Sequence, residues 1–313
     1  MTKVEIKSKL IRDLLNLPWK LSMLWSDRVN FNKAFTSLDV IEDAQEAIKA
    51  YQLLPQFHAN SGGYLYIYGL MQSLFLQQDG VLSLHKALFD KNINLKQQFP
   101  KLQSIREHRR LSVGHPTNST KGKSKAFTYL IRMSLNKKEF KYLTHYPEQN
   151  DDSEHIEVDV EELIKNQELE ISIILDDIIC SLKQENAKHK SKFSDRKLMD
   201  IVNRNYKYHI RKLYSAVGKN HNHAKLDFGI LNDNYRNIKK EILTRYHSTF
   251  GVQGIEYNFE QLDYLFERLE QDLVLEQIDD QKELVVFIDS LQNHFEELVE
   301  LCKEVDEVFE DKQ

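Results

Sequence analysis

Glycine and proline are scarce in this sequence, which has 10 glycines and 5 prolines in 313 residues. Antiparallel sandwiches and barrels need turn residues at short, regular intervals, so this scarcity argues against them and favours long helices. Cysteine is scarcer still, because Cys180 and Cys302 are the only two, and both lie in amphipathic helical patterns. We therefore expect no disulfide framework, and we expect both cysteines to be small buried side chains in a reducing compartment.

Long apolar runs are absent as well. No stretch of the sequence approaches the length of a membrane span, and residues 1–15 carry charges throughout, unlike a secretory signal peptide. Hydrophobic residues make up 41% of the chain and charged residues 29%. That balance is typical of a folded protein with a sizeable core rather than of a disordered one. The sequence thus predicts a soluble cytoplasmic protein without membrane contact.

Several motifs that mark common enzyme classes are missing. The sequence has no glycine-rich phosphate loop, no dinucleotide-binding glycine fingerprint, no His-Glu-x-x-His, no Cys-x-x-Cys pair and no Gly-x-Ser-x-Gly. His221 and His223 are spaced like a ligand pair, but no nearby cysteine or acidic partner stands at zinc spacing, so we interpret them as part of a polar turn. We expect neither a cofactor nor a metal ion.

The net charge of −5 conceals a strong segregation of charge along the chain. Residues 101–141 contain eleven Lys and Arg against two acidic residues, and residues 183–245 contain sixteen against six. The acidic blocks are 146–182, with twelve acidic residues against one lysine, and 256–313, with nineteen against four Lys and Arg. The basic blocks could form a nucleic-acid surface. Alternatively, basic and acidic elements pack beside one another, within the chain or across a dimer.

Hydrophobic periodicity predicts a mainly helical fold. A long, deeply buried helix begins at Tyr64 and carries Gln77, Gln78 and Asp79 near its middle. Polar groups so close to a buried stripe need partners. Either these three residues form an exposed polar face, or Gln78 and Asp79 support an adjacent site.

The only convincing β-structure is one hairpin. Two runs at 127–135 and 140–146 alternate in the manner of strands and flank a polar turn. Residues 149–154 then form an acidic turn, and residues 156–184 show apolar residues at helical spacing. The sequence therefore predicts a β-hairpin followed by a long helix.

The C-terminus has the clearest periodicity, an unbroken heptad pattern of apolar residues. Its positions are Leu284, Ile288, Leu291, Phe295, Leu298, Cys302, Val305 and Phe309. The preceding segment carries a similar stripe from Phe259 to Leu273. The two helices form a helical hairpin, or the last helix pairs across a dimer.

These patterns divide the chain into three regions. Residues 1–125 form a helical domain, residues 126–185 hold the β-hairpin and the long helix, and residues 186–313 form a C-terminal helical region. The polar, basic segment 186–197 is predicted to be a linker or loop at the start of the third region.

The most informative segment runs from Arg106 to Pro116 and contains three arginines and two histidines. Arginine is a permanently charged, forked donor suited to phosphate, and histidine exchanges protons near neutral pH. The segment is therefore equipped for acid–base chemistry beside a phosphodiester. A helix break at Gly114 can turn His115 back towards Arg109. Alternatively, the segment is a basic helix end with a C-capping histidine.

Residues 64–81, taken together with residues 105–117, resemble the HEPN superfamily, small helical domains of which many are endoribonucleases. The signature of that family is an arginine followed, after roughly four to six residues, by a histidine. Arg109 and His115 have five residues between them and Arg110 and His115 have four, so both arginines fit this spacing. The residue after the signature arginine is usually polar, which favours Arg109, because Arg110 is itself followed by a leucine.

The resemblance implies a HEPN-like helical bundle and a metal-independent endoribonuclease of the toxin or phage-defence type. It implies that two protomers meet so that both Arg/His pairs line one cleft. In that site an RNA 2′-OH attacks its own phosphodiester, His115 acts as general base or acid, and Arg109 stabilises the charged phosphorane. The remaining basic side chains would hold the RNA backbone: Arg106, Arg110, Lys121, Lys123 and Lys125.

Gln78 and Asp79 are expected to support this site by contacting its residues rather than the RNA. A regulatory protein partner fits the same picture. Two other classes of function remain compatible with the sequence. One is a catalytically inactive HEPN-like module that binds RNA or a nucleotide. The other is a helical dimer scaffold whose basic cluster pairs with the acidic blocks.

Overall fold

The computed structural model describes residues 1–58, 61–114, 119–121, 124–147, 152–218, 221–250, 252, 254–275 and 281–309. The chain divides into two compact units. Unit 1 comprises Met1–Leu15 and Asp27–Leu182, and unit 2 comprises Asn16–Ser26 and Lys183–Gln313. Most of the predicted regions 1–125 and 126–185 therefore lies in unit 1, whereas the region 186–313 lies in unit 2.

The first seven helices are α1 (Lys3–Leu15), α2 (Pro18–Trp25), α3 (Arg28–Leu53), α4 (Ser61–Phe89), α5 (Leu95–Gln98), α6 (Pro100–Arg109) and α7 (Val160–Phe193). They lie in unit 1 except α2 and the part of α7 beyond Leu182, which belong to unit 2. Local sequence explains where several of them begin. Asp27 caps α3 by accepting the Asn30 backbone N–H at 3.1 Å, and Pro100 occupies the first turn of α6, a position that proline tolerates.

Helices α3 and α4 approach each other closely at Gly80. A Cβ atom at this position would lie 2.9 Å from Ile41 Cγ1 and 3.1 Å from the Ser37 carbonyl oxygen, so the approach requires glycine. The predicted apolar stripe of α4 is buried here, including Ile67 and Leu74. Of this pair, α4 is the helix against which α6 packs.

An antiparallel sheet in the order β1-β2-β3-β4 completes unit 1. Its strands are β1 (Ser119–Lys121), β2 (Ser124–Leu130), β3 (Glu139–Tyr146) and β4 (Asp152–Asp159). The predicted hairpin is confirmed as β2 and β3, which pair from Phe127 opposite His145 to Leu130 opposite Tyr142. The first strand ends earlier than predicted, because a 3₁₀ turn occupies Arg132–Ser134.

Strand β4 occupies residues for which the sequence predicted an acidic turn and the start of a helix. It pairs with β3 along its whole length, and α7 begins at Val160. The predictions of a turn at 152–154 and of a helix from residue 156 are therefore wrong. Ile156 and Val158 are the only two apolar residues with strand spacing in this acidic segment, so their pattern was not distinguished from the helical stripe that follows.

Unit 2 contains α8 (Tyr206–Leu213), α9 (His221–Tyr246), α10 (Ile255–Leu273) and α11 (Gln281–Phe309), together with α2 and the end of α7. Because α7 continues to Phe193, the predicted linker at 186–197 is largely helical instead. The α9 helix begins at His221, where a polar turn was predicted.

The predicted C-terminal hairpin is confirmed. Helices α10 and α11 pack against each other within unit 2. The heptad positions from Leu284 to Phe309 are buried, as is the stripe from Phe259 to Leu273. The heptad seam is thus filled within one chain, so it is not a surface left open for pairing across a dimer.

The fold is mainly helical with a small antiparallel sheet, in agreement with the predicted class. Cys302 is buried as expected, but Cys180 lies on the exposed face of α7, so the expectation of burial is wrong for Cys180. In the described part of the chain, no helix has the apolar length that a bilayer crossing requires.

Candidate functional site

Helix α6 carries the arginine cluster on its last turns. Its N-terminus is fixed from α7, because the buried Glu170 carboxylate accepts the Leu102 backbone N–H at 2.9 Å. At its C-terminus the helix does not stop at Arg109 but widens into a π-helical turn, Arg110–Gly114. Turns of this kind are rare in proteins, and those that occur are often found at functional sites. Arg109 therefore ends the regular helix, and Arg110 opens the irregular turn.

Arg109 is held by three contacts. Its Nη2 donates to Gln72 Oε1 at 2.9 Å, and its guanidinium carbon lies 4.5 Å from the centroid of the Phe75 ring. A Cβ atom on Gly114 would lie 2.7 Å from Arg109 Nη1, so glycine at this position leaves room for the guanidinium. Arg109 Nε is buried and has no hydrogen-bond partner among the described residues. The side chain is thus oriented with hydrogen-bonding capacity still unused.

Arg106 lies on the same ring as Arg109. Its guanidinium carbon is 4.6 Å from the Phe75 centroid, its Nε donates to Gln78 Oε1 at 2.8 Å, and its Nη2 forms an ion pair with Asp79. Gln78 and Asp79 thus contact a predicted site arginine, although it is Arg106 rather than Arg109. Two guanidinium groups thus share one aromatic ring, and because Asp79 neutralises Arg106, Arg109 is the cation of the two that is better suited to a phosphate.

A chain of buried glutamines supports this pair of arginines. Gln77 donates to Gln45 at 2.9 Å, Gln167 donates to Gln77 at 3.0 Å and Gln78 donates to Gln167 at 2.8 Å. Gln167 also donates to the Leu74 carbonyl at 2.9 Å. The chain joins α3, α4 and α7 and ends on Arg106. The interpretation of Gln77 and Gln78 as an exposed polar face is wrong, since they are 1% and 0% exposed.

Arg110 takes a different partner. Its Nε donates to Glu107 Oε2 at 2.9 Å, and its Nη2 pairs with the other carboxylate oxygen of Glu107. This bidentate pair raises the pKa of Arg110, chiefly through the hydrogen bonds to Glu107, and lowers the pKa of Glu107. Arg106 and Arg109 therefore share Phe75, whereas Arg110 is committed to Glu107.

Other predicted site residues lie in the segment after α6. His115 and Lys123 lie outside the described residues, and so does the side chain of Lys121. Lys125 is an exposed residue of β2, where it pairs across the sheet with Thr120 of β1. Of the predicted pair Arg109 and His115, the described residues thus include Arg109 alone.

His108 is a residue of this region that sequence reasoning did not single out. Its Nδ1 lies 3.0 Å from the Tyr142 hydroxyl of β3, and its Nε2 lies 3.4 Å from Ser104 Oγ. Burial lowers the pKa of His108, while the Glu107 carboxylate opposes that shift. Burial also raises the pKa of Tyr142, so the phenol keeps its proton and can donate it to His108. Ser104 and His108 are four residues apart, a spacing that places both on one face of a helix. That spacing is the sequence signal that could have identified His108.

We expect unit 1 to lose stability as the pH falls below about 6.5, the ordinary pKa of histidine. Because burial lowers the pKa of His108 in the folded state, the unfolded chain binds a proton at a pH where the folded one does not. The contribution of neutral His108 to the stability of unit 1 is fully present above the pKa of His108 in the unfolded chain. It is lost as the pH falls towards the lower pKa of His108 in the folded chain. Replacing His108 with glutamine should flatten the dependence of unfolding temperature on pH, measured by circular dichroism. His155→Gln, at an exposed position of β4, is the matched control; an unchanged slope in His108→Gln would contradict the prediction.

Comparison with known proteins adds no relative to this geometry: no protein-family model matches the chain, and neither a curated protein nor a solved structure is significantly similar to it.

Proposed function

We propose that this chain is a metal-independent endoribonuclease of the HEPN type, acting in the cytoplasm in toxin or antiviral defence. The observation that carries the proposal is the fixation of Arg109. Its guanidinium lies on Phe75, is hydrogen-bonded to Gln72 and packs against Gly114, the residue that precedes His115 in the sequence. Phosphodiester cleavage without a metal requires a pre-oriented cation at the reacting phosphate, which is the role proposed for Arg109.

In the proposed reaction, a ribose 2′-OH attacks the adjacent phosphorus while a base removes its proton. The 5′-oxygen leaves as it receives a proton, so the products are a 2′,3′-cyclic phosphate and a 5′-hydroxyl. His115 exchanges one of these protons. Arg109 stabilises the extra charge on the phosphorane through the Nη donors that Gln72 leaves unused.

The neighbouring cations hold the RNA strand in this proposal. Arg106 shares the Phe75 ring with Arg109, and its side chain is 21% exposed, so it can contact an adjacent phosphate. In this proposal Lys121, Lys123 and Lys125 of the following segment supply the other strand contacts, whereas Arg110 is paired with Glu107. Phosphate contacts of this kind position the strand without selecting its sequence.

A second copy of the chain completes the proposed site. One face of α4 exposes Leu65, Tyr68 and Leu76, which are 71%, 43% and 42% exposed. They share a helical stripe with Gln72, which binds Arg109. Exposed apolar side chains in a row mark an interaction surface. A two-fold contact through this stripe would bring two Arg109–His115 pairs to one cleft.

The test is cleavage of single-stranded RNA by the purified protein in the presence of EDTA, with analysis of the product ends. We expect a cyclic phosphate, and we expect His115→Ala and Arg109→Ala to lower the rate roughly 100- to 10,000-fold. His155→Ala and Arg132→Ala, at exposed positions of the same unit, are the matched controls and should cleave like the parent. Circular dichroism verifies that each variant is folded.

Failure of the proposal is recognisable. If the parent protein does not cleave RNA but binds it with a salt dependence that Arg109→Ala weakens, the chain is an inactive RNA-binding module. If it neither cleaves nor binds RNA, both RNA functions are wrong. Leu76→Glu tests the shared site separately: sedimentation should show monomers, and cleavage should fall with dimer content.

A further inference from the structure

Helix α8 of unit 2 has one face buried in the unit and an opposite face that carries an aromatic ring beside cations. Ile210 and Leu213 are fully buried. Tyr208 lies on the other side of the helix and is 56% exposed. Arg211 and Lys212 follow it at three and four residues, so they share its side of the helix, and both are exposed. Tyr208, Arg211 and Lys212 together form the α8 face.

The cations of the α8 face are free to bind a partner. In the part of the chain that the structure describes, neither Arg211 nor Lys212 forms an ion pair, and the same holds for Arg204, which is exposed in the turn before α8. Lys207, at the edge of the face, is in contrast paired with Glu296 of α11 at 3.1 Å. The positive charge of the α8 face is therefore not neutralised by these neighbours, and it attracts anions.

Contacts on the sides of α8 fix this face in place. The Tyr206 ring stacks on Phe295 of α11 with 5.3 Å between the ring centroids. His209 Nδ1 lies 2.6 Å from Asp227 Oδ1 of α9, which joins α8 to that helix as well. Because the helix is anchored on two neighbours, a partner that binds the α8 face does not have to order its backbone.

The surroundings of Tyr208 distinguish it from other exposed tyrosines of unit 2. Helix α10 exposes Tyr257 and Tyr264, which are 60% and 57% exposed, but α10 lies almost entirely in the acidic block 256–313. Helix α8 lies in the basic block 183–245. In addition, Lys212 Nζ is 5.3 Å from the centroid of the Tyr208 ring. The α8 face thus combines an exposed ring with cations at the same place.

This combination fits a strand that carries both phosphates and unpaired bases. Guanidinium and ammonium groups bind phosphates, and an exposed aromatic ring stacks on a base of any sequence. In a duplex the bases already stack on one another, so their faces do not reach the ring. A lone phosphate or an acidic peptide would pair with the cations but would leave Tyr208 unused. The chemistry therefore favours a single strand.

We propose that the α8 face binds a single-stranded nucleic acid, with one base stacked on Tyr208 and the phosphates bound by Arg204, Arg211 and Lys212. Lys212 is exposed and its side chain is flexible, so its ammonium can move from the ring to a phosphate as the base stacks. The site is separate from the proposed cleavage site, because it uses no residue of unit 1. RNA and DNA strands both supply these phosphates and base faces.

The test is fluorescence anisotropy with short labelled strands of oligouridine and oligothymidine. The protein is the full-length double variant Arg109→Ala/His115→Ala, which lacks the residues proposed for cleavage, so binding is measured whether or not the parent cleaves RNA. We expect both strands to bind and Tyr208→Ala in this background to weaken binding by about tenfold or more. Tyr208→Phe keeps the stacking ring and should bind like the double variant.

The cations are tested by salt dependence. Arg211→Gln should weaken binding and reduce the slope of log affinity against log salt by about 0.7, the value for one phosphate contact with a single strand. The matched controls are Tyr257→Ala and Arg236→Gln, at exposed positions of the same unit, and both should leave the affinity unchanged. In addition, a photoreactive thiouridine strand should crosslink to a peptide that contains Tyr208.

The two strands separate the sources of the ligand. Equal binding of oligouridine and oligothymidine indicates that the sugar is not read, and binding of one alone indicates that the sugar contributes as well. Unchanged affinity in Tyr208→Ala, equal competition by a duplex, or no binding of either strand overturns the proposal. Self-association that Arg211→Gln abolishes, without strand binding, would assign the α8 face to the acidic helices of a second copy and would overturn it too.

Discussion

Asp306→Ala is expected to lower the free energy of unfolding of unit 2 by about 3–5 kcal/mol. The reason is Arg245, whose side chain is fully buried between the rings of Phe193 and Phe309, with its guanidinium carbon 5.6 and 5.3 Å from their centroids. Its Nη1 donates to Asp306 Oδ1 at 3.1 Å. Removing the carboxylate leaves the buried cation with Glu241 alone as counter-charge, whose Oε1 lies 3.6 Å from Arg245 Nε. Breaking a buried ion pair in this way is among the most destabilising single changes.

Asp306 also accepts hydrogen bonds from the backbone of the same unit. Its oxygens accept the backbone N–H groups of Leu198 at 2.8 Å and Met199 at 2.9 Å. Both N–H groups belong to the first residues of the short helical turn after α7. In Asp306→Ala they would lose their hydrogen-bond acceptor. Buried donors that lose their acceptor cost about 1–3 kcal/mol each, which places the effect at the upper end of the range.

Tryptophan fluorescence measures this prediction directly. The chain has two tryptophans, Trp19 and Trp25, and both belong to unit 2, where they stack on His189 and Phe250. Urea unfolding followed by fluorescence therefore reports unit 2. The control is Asp233→Ala, at an exposed position of α9, which should change the stability by less than about 0.5 kcal/mol. A loss of less than about 1 kcal/mol in Asp306→Ala would show that the pair contributes little.

Gln167→Leu is expected to destabilise unit 1 by about 3–4 kcal/mol, since about 1–3 kcal/mol is lost for each buried polar group left unsatisfied. The Gln167 amide donates to Gln77 and to the Leu74 carbonyl and accepts from Gln78. Leucine has similar size but supplies none of these hydrogen bonds. The loss should appear in circular dichroism at 222 nm, while the tryptophan signal of unit 2 provides an internal reference.

The matched control for Gln167→Leu is Gln52→Leu, at an exposed position of α3. The control should leave unfolding almost unchanged. Gln167→Leu also releases Gln78, which orients Arg106, so binding of RNA should weaken more than in Gln52→Leu under conditions where both are folded. Equal stabilities of the two variants would mean that the buried glutamines are satisfied in another way.

The sequence predicted the strongly periodic parts of the fold. The apolar stripes of α4, α10 and α11 recur at helical spacing, and burial of one helix face produces that spacing wherever the helix packs. Strand β4 was not predicted because half of its residues are acidic and most are exposed, so its hydrophobic alternation is short. Pairing with β3 decides its conformation, and that partner is not visible in local sequence.

The same division applies to the candidate site. The clustering of arginines and their distance from His115 are properties of the sequence. The partners of those arginines are not, because Gln78 and Gln167 are 89 residues apart and meet only when α4 packs on α7. The sequence also does not separate Arg110 from its neighbours, although its bidentate pairing with Glu107 assigns it to the other side of α6.

By itself, the sequence determined a mainly helical protein, a β-hairpin, a C-terminal helical hairpin and one segment rich in phosphate-binding side chains, because composition and periodicity act through local geometry. The tertiary structure decided which polar groups are buried together: the glutamine chain behind Arg106, the ring shared by Arg106 and Arg109, and the burial of the heptad seam within one chain. The physical reason is that a polar or apolar side chain is satisfied by whichever partner is near in space, and folding chooses that partner from distant parts of the chain.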